Sequence, residues 1–137
     1  MSVISTYMAN KLLDHSFGKT SFTMPTIYLA LSTANPGDDG SGLTEPSSGG
    51  YARLTMSGSD MNAASSKGNS NATDLTFTPA TGSWGTITHI AVMDADTSGH
   101  VLFYDTIRDS GGDPISKAVS SGDVITISAG NLTAGIS

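Results

Sequence analysis

The 137-residue sequence has no cysteine, one tryptophan and few charged side chains. The absence of cysteine excludes disulfides and thiolate metal sites. Charged residues make up only 13% of the chain, which is about half the ordinary share. No apolar run approaches the ~18 residues of a membrane-spanning helix. The six lysines and arginines are scattered singly, so no basic patch is available for nucleic acid. We therefore expect neither a membrane nor a nucleic acid as partner.

The acidic residues are almost all aspartate. Glu45 is the single glutamate among 12 acidic residues, and the formal net charge is -6. Aspartate favours turns and caps whereas glutamate favours helix interiors, so this bias predicts acids in loops. The chain is also poor in groups for acid-base catalysis, and it lacks a Gly-x-Ser-x-Gly motif. We expect a protein that is not an enzyme and that uses no cofactor.

Residues 2–17 are the one segment with convincing helical periodicity. Its apolar residues recur every four positions, at Ile4, Met8 and Leu12. Ser2 is placed to cap the start, and Gly18 is placed where a left-handed residue ends a helix. The sequence therefore predicts one N-terminal helix, whose apolar stripe covers either the domain's own sheet or a partner.

Residues 26–137 have the pattern of short strands between turns. The predicted strands are Thr26–Ser32, Tyr51–Met56, Asp74–Thr78, Thr86–Met93, His100–Ile107, Asp123–Ser128 and Asn131–Ile136. The segments at 33–50 and 57–71 are long, polar and rich in turn residues, and loops of this length are commonly functional. We predict a mainly β single domain spanning residues 1–137, an antiparallel β-sandwich or jelly roll with one N-terminal helix.

One segment matches the spacing of a calcium-binding loop. Oxygen ligands would come from Asp94, Asp96, Ser98 and Asp105, with Gly99 at the sixth position. The competing interpretation is a hairpin turn whose aspartates accept backbone hydrogen bonds. We favour the hairpin, because both flanking segments alternate as strands and the twelfth position lacks the usual glutamate. No metal is therefore expected.

Two histidines, His89 and His100, lie in or beside neighbouring predicted strands. Across a hairpin they would be able to approach each other, which raises the possibility of zinc. A zinc site needs further ligands, and no residue with the right spacing supplies them. We interpret both histidines as structural or exposed.

Three residues are candidates for a protein interface. Trp84, in a Gly-Ser-Trp-Gly segment, is either an aromatic anchor or a core residue at the start of a strand, and the core interpretation is favoured. Arg53 either pairs with a loop aspartate or reaches across an interface. Tyr51 precedes it in the same short segment.

Several stretches in sequence order resemble a family of small virion proteins of tailed bacteriophages, sometimes labelled tail-fibre-like. They are residues 9–15, 27–38, 49–54, 84–94 and 121–125. The nearest resemblance is to capsid cement (decoration) proteins with a jelly-roll fold. This implies a protein that binds the major capsid protein on the capsid exterior as a dimer or trimer and clamps subunit junctions. It also implies assembly in the host bacterial cytoplasm.

Two other functions compete with capsid decoration. The first is a tail-fibre or tail-tip module that binds a host surface receptor, although 137 residues leave little room for a shaft. The second is a small glycan hydrolase, which needs two positioned carboxylates. Because the acids fall in turns, the enzyme is disfavoured.

Overall fold

The computed structural model describes residues 2–136 and is mainly β, with one α-helix and one short 3₁₀ helix. The helix α1 spans Thr6–Ser16, and the 3₁₀ helix spans Gly58–Asp60. The strands are β1 (Val3–Ile4), β2 (Ile27–Ser32), β3 (Leu54–Met56), β4 (Gly68–Ser70), β5 (Leu75–Thr76), β6 (Gly85–Ile87), β7 (His89–Met93), β8 (Val101–Thr106), β9 (Lys117–Val119), β10 (Thr126–Ile127) and β11 (Thr133–Gly135). None of the helices in this part of the chain combines the length and apolar character needed to cross a bilayer.

A five-stranded antiparallel sheet organises the domain, with the strand order β1-β8-β7-β2-β3. In its centre Leu29 lies opposite Val92, and Leu31 lies opposite Ile90. Side chains alternate between the faces of a strand, so these four point into the main core. Ala30 points to the other face, where it belongs to a smaller apolar cluster.

There are also three short antiparallel ladders, β5–β10, β4–β11 and β6–β9, and two of them, β5–β10 and β6–β9, contribute apolar side chains to the main core. Phe77, Ile87, Val119 and Ile127 are each at most 3% exposed within this core. The prediction of a mainly β, antiparallel sandwich with a single α-helix is confirmed. The hydrophobic core forms because both layers present alternating apolar residues to each other.

The predicted start of the helix is wrong. Ser5, not Ser2, is the N-cap, and its Oγ accepts a hydrogen bond from Met8 N at 3.1 Å. Val3–Ile4 instead pairs with β8, and Ser2 N donates to Thr133 O at 2.7 Å. The residues before Ser5 therefore form inter-strand hydrogen bonds instead of the first turn of the helix. At the other end Gly18 has φ +71°, the left-handed conformation expected after a helix.

The helix packs on its own domain. Met8 is buried in the main core, and Tyr7 and Leu12 pack against it. Ile4 also packs there, so the predicted stripe covers the domain's own core. Two apolar residues beside the stripe face outward, since Leu13 is 57% and Phe17 is 85% exposed.

Each predicted strand contains an observed one, but the observed strands are shorter. Thr86–Met93 is divided into β6 and β7 at Thr88, whose N–H bonds to Ser32 O. The strands β1, β4 and β9 were not predicted. Their sequences are two or three residues long and carry no clear apolar alternation, so their pairing depends on partners distant in sequence.

Candidate functional site

The side chain of Arg53 is the centre of a buried polar network, with only 4% of it exposed. Its Nε and Nη2 donate to the two carboxylate oxygens of Glu45 at 2.9 and 2.7 Å, which makes a bidentate ion pair. Its Nη1 donates to Ala95 O at 2.6 Å and to Ser98 O at 2.8 Å. One guanidinium therefore joins the long loop after β2 to the turn between β7 and β8.

Tyr51 continues this network toward the main sheet. Its hydroxyl donates to Glu45 Oε1 at 2.7 Å and accepts from Leu31 N at 3.0 Å. Its ring meets the Trp84 ring edge-on, with centroids 5.4 Å apart and an interplanar angle of 84°. Such edge contacts are a favoured aromatic geometry.

Trp84 anchors the same loop from the core side. It is 3% exposed, and its indole Nε1 donates to Gly49 O at 2.8 Å. Gly49 has φ +69°, and a Cβ there would lie 2.8 Å from Gly82 O and 3.0 Å from Trp84 Cδ1. Both the left-handed backbone and the close approach require glycine.

The network sets the protonation of its members. Burial raises the pKa of Glu45, but hydrogen bonds from Arg53 and Tyr51 outweigh this and hold the pKa below its ordinary value. The hydrogen bond to Glu45 raises the pKa of Arg53 despite burial. Burial, followed by the bond to Glu45, raises the pKa of Tyr51 far above that of a free phenol. At neutral pH the site is therefore a closed ion pair beside a neutral phenol.

The proposed calcium loop is a hairpin turn closed by its own residues. Asp94 accepts from His100 N at 2.6 Å, and its other carboxylate oxygen lies 2.9 Å from His100 Nδ1. Burial raises the pKa of Asp94, but these contacts with His100 lower it overall. Gly99 has φ +75°, and a Cβ there would collide with Asp94 Oδ1. The two carbonyls of the turn, on Ala95 and Ser98, are directed at the Arg53 guanidinium.

The four proposed calcium ligands do not converge. Asp105 lies opposite Ile90, several residues along the hairpin from Asp94, and its carboxylate is 3.2 Å from Arg108 Nη2. Burial raises the pKa of Asp105, and hydrogen bonds including that of Arg108 lower it overall. Within residues 2–136 no group of three or more histidines and acids is arranged to hold a metal.

His89 and His100 do not approach each other across the hairpin, which was the less favoured interpretation. His89 pairs with Thr106 at the far end of β8, whereas His100 precedes the first residue of that strand. The antiparallel register separates them by the full length of the hairpin. His100 instead stacks on Tyr7, with ring centroids 3.9 Å apart and an interplanar angle of 1°.

A surface groove of about 560 Å³ opens above Arg53. Its walls come from the loop after β2, the outer face of β2 and β3, and the β7–β8 turn. It is lined by Tyr28, Glu45, Pro46, Tyr51, Ala52, Arg53, Thr55, Asp96, Thr97 and Ser98. Its volume is in the range typical of ligand sites.

The structure brings two separate sequence predictions to this groove. Tyr51 and Arg53, predicted as interface residues, lie in its floor. Asp96 and Ser98, from the segment that has the spacing of a calcium loop and was favoured as a hairpin, form one wall. Trp84 lies behind Tyr51 in the core, as the favoured interpretation held.

Six of the ten residues that line the groove were not site candidates from the sequence, Glu45 and Tyr28 among them. Glu45 had one available signal, its status as the single glutamate of an aspartate-rich chain. Tyr28 had none, because an aromatic residue in a strand is ordinary.

The fold and this groove define a small antiparallel β domain with an ordered surface groove. The comparisons with known proteins place it more narrowly. A family described as podophage GP4 fiber I protein gp80 matches residues 3–135, nearly the whole chain, and the chain belongs to that family. No curated protein matches it. The protein is therefore a structural component of a bacteriophage virion.

Proposed function

We propose that this protein is a subunit of a virion fibre and that its role is binding, with no catalytic step. The observation that carries the proposal is the match of residues 3–135 to a family described as a fiber protein. The sequence resemblance had favoured capsid decoration, with a fibre or tail-tip module as the alternative. The family description favours that alternative.

The internal ordering of the groove supports a role in contacting something outside the virion. Arg53 holds the β7–β8 turn and the long loop together through four hydrogen bonds within one chain. These loops therefore need no shell protein to order them. A surface that is already rigid loses little conformational entropy when it binds.

Exposed apolar side chains support assembly of several copies. Leu13, Phe17 and Met24 are 57%, 85% and 48% exposed, respectively, at one end of the helix and in the segment that follows it. Large apolar side chains left exposed within a short stretch of chain are candidates for contacts with another protein. We propose that these residues contact further copies in a homo-oligomer, dimeric or trimeric.

The location of the protein in the virion tests the proposal. Intact virions are labelled with gold-conjugated antibodies against this chain, with antibodies against the major capsid protein as the control, and both proteins are quantified by mass spectrometry. A fibre subunit gives label at the tail and few copies per virion. Label spread over the shell, with copies on the order of the capsid subunits, would instead establish capsid decoration.

A further inference from the structure

We propose that the groove above Arg53 is a binding site for a neutral saccharide. This deepens the proposed function, because it names the class of surface structure that the fibre would contact. The proposal depends on a contrast between the floor of the groove, where Arg53, Glu45 and Tyr51 bond mostly to one another, and its rim, where several side chains have no hydrogen-bond partner among the described residues.

The floor offers almost nothing to a charged ligand. Four of the N–H groups of Arg53 already donate within the protein, two of them to Glu45. The Tyr51 hydroxyl both donates and accepts. A guanidinium carries five N–H donors, so this one has little left for an incoming phosphate or carboxylate.

The rim, by contrast, presents unused donors and acceptors. The hydroxyls of Tyr28, Thr55 and Thr97 and the carboxylate of Asp96 have no hydrogen-bond partner in the described part of the chain. Thr55, Asp96 and Thr97 are exposed, and Tyr28 is half-buried. Together they form a mixed set that both donates and accepts, which suits ligand hydroxyls.

The charge of the groove argues against an anionic ligand. Arg53 is neutralised by Glu45, and Asp96 adds an exposed negative charge on the rim. The chain as a whole carries a formal charge of -6. An acidic ligand would therefore be repelled on approach and would find no free cation in the groove.

Tyr28 supplies a fixed aromatic surface. Its place on β2 is set by pairing with Met93 on one side and Thr55 on the other. Tyrosine offers a rigid apolar face with a polar tip at low entropic cost. A sugar ring has the complementary form, with apolar C–H groups on its face and hydroxyls at its edge. A peptide fits less well, because Pro46 and Ala52 are the only aliphatic residues of the lining and form no deep anchor pocket.

A glycan array probed with the full-length protein tests the proposal. The array carries neutral and acidic bacterial polysaccharides together with short peptides. We expect binding to one or more neutral glycans, with acidic glycans and peptides unbound. The strongest neutral glycan is then titrated by isothermal calorimetry against the wild type and against groove variants.

Tyr28→Ala and Asp96→Asn should each weaken the titrated binding, Tyr28→Ala by about tenfold or more, the equivalent of roughly 1.4 kcal/mol. Asp14→Asn and Thr20→Ala change exposed residues on the helix and the following segment and should leave binding unchanged. Because Tyr28 also packs on the smaller apolar cluster, Tyr28→Phe and Thr97→Ala are added as variants that keep the fold. Each is expected to weaken binding by a few fold.

The saccharide proposal is overturned if no neutral glycan binds, if acidic glycans or peptides bind instead, or if the groove variants bind as well as the wild type. These results are independent of the gold labelling. A protein found at the tail that binds no neutral glycan remains a fibre subunit with a different ligand. A protein found on the shell contradicts the fibre proposal whatever it binds.

Discussion

Two regions of this protein differ in how their side chains are exposed. The turn-rich segment around Tyr51 and Arg53 is predicted as an interface, but its key side chains are inside the domain. The helix packs its predicted apolar stripe against the main core, but Leu13 and Phe17 beside that stripe face the solvent. The first region is polar and is held together by hydrogen bonds within the chain, whereas the second leaves two large apolar side chains uncovered.

This difference shows that residue type alone is a poor guide to exposure. An arginine is buried here because a carboxylate and two carbonyls accept four of the hydrogen bonds that its guanidinium can donate, which offsets much of the cost of burying it. A phenylalanine is exposed because neither apolar cluster includes it. Each of the predictions below tests one side of this comparison.

The largest effect is expected from Arg53→Met. The substitution leaves Glu45 half-buried without its cation and removes the donors to Ala95 O and Ser98 O. We expect a loss of about 3 kcal/mol in the free energy of unfolding, or roughly 10 °C in melting temperature for a domain of this size. Chemical denaturation followed by tryptophan fluorescence measures it, because Trp84 lies next to the network.

Two further variants show where that loss comes from. The double variant Arg53→Met, Glu45→Gln should lose less than the single one, because it no longer holds an unpaired carboxylate. Lys19→Ala, on the exposed segment after the helix, should change stability by less than about 0.5 kcal/mol. Equal losses in Arg53→Met and Lys19→Ala would show that the network does not stabilise the fold.

A smaller effect is expected from Tyr51→Phe. Leu31 is fully buried, so removing the hydroxyl leaves its N–H without a partner and costs about 1–2 kcal/mol. The matched control is Tyr28→Phe, the same change at a hydroxyl that has no hydrogen-bond partner among residues 2–136, and it should be nearly neutral. The two free energies of unfolding are compared by urea denaturation, and similar values for both would contradict the assigned role of Tyr51.

The pH dependence of stability in a Glu45 variant isolates the contribution of Glu45 from that of the other acidic residues. Its pKa is lower in the folded protein than in the unfolded chain. The contribution of ionised Glu45 to the free energy of unfolding is therefore complete above its pKa in the unfolded chain, about 4.3. That contribution is lost as the pH falls through its pKa in the folded protein. The stability difference between wild type and Glu45→Gln should be largest near pH 7 and shrink below pH ~4. Asp94 and Asp105 also have lowered pKa values, but both proteins share them. A difference independent of pH would contradict this assignment.

The smallest effect on stability is expected from Phe17→Ser. The side chain is 85% exposed, so unfolding should change by less than about 0.5 kcal/mol. Sedimentation velocity should nevertheless show that the wild type forms oligomers while Phe17→Ser shifts toward monomer. Thr20→Ser, a conservative change on the same exposed segment, should sediment as the wild type does. A wild type that stays monomeric at high concentration would show that this apolar end is not a contact between copies.

Much of the fold follows from local sequence, while the groove does not. The alternation at Ile27, Leu29 and Leu31 indicated the central strand β2, and Gly18 marked the end of the helix. The groove depends on contacts such as Arg53 with Ala95 O and Ser98 O, which are 42 and 45 residues apart in sequence. No local sequence pattern predicts a contact between residues so far apart. For the same reason the calcium-like spacing from Asp94 to Asp105 was misleading, because the register of the hairpin keeps those two side chains apart.

What the sequence determined by itself is the class of fold and the chemistry that it lacks. Without cysteine, and with nearly all its acids as aspartate, the chain was confined to short strands joined by turns, because these are local preferences of backbone and side chain. What only the tertiary structure decided is which loops meet and which side chains they bury. Arg53 is buried and bonded within the chain, while Phe17 is exposed, because burial depends on what the folded chain places around a residue. That is set by the packing of the whole domain.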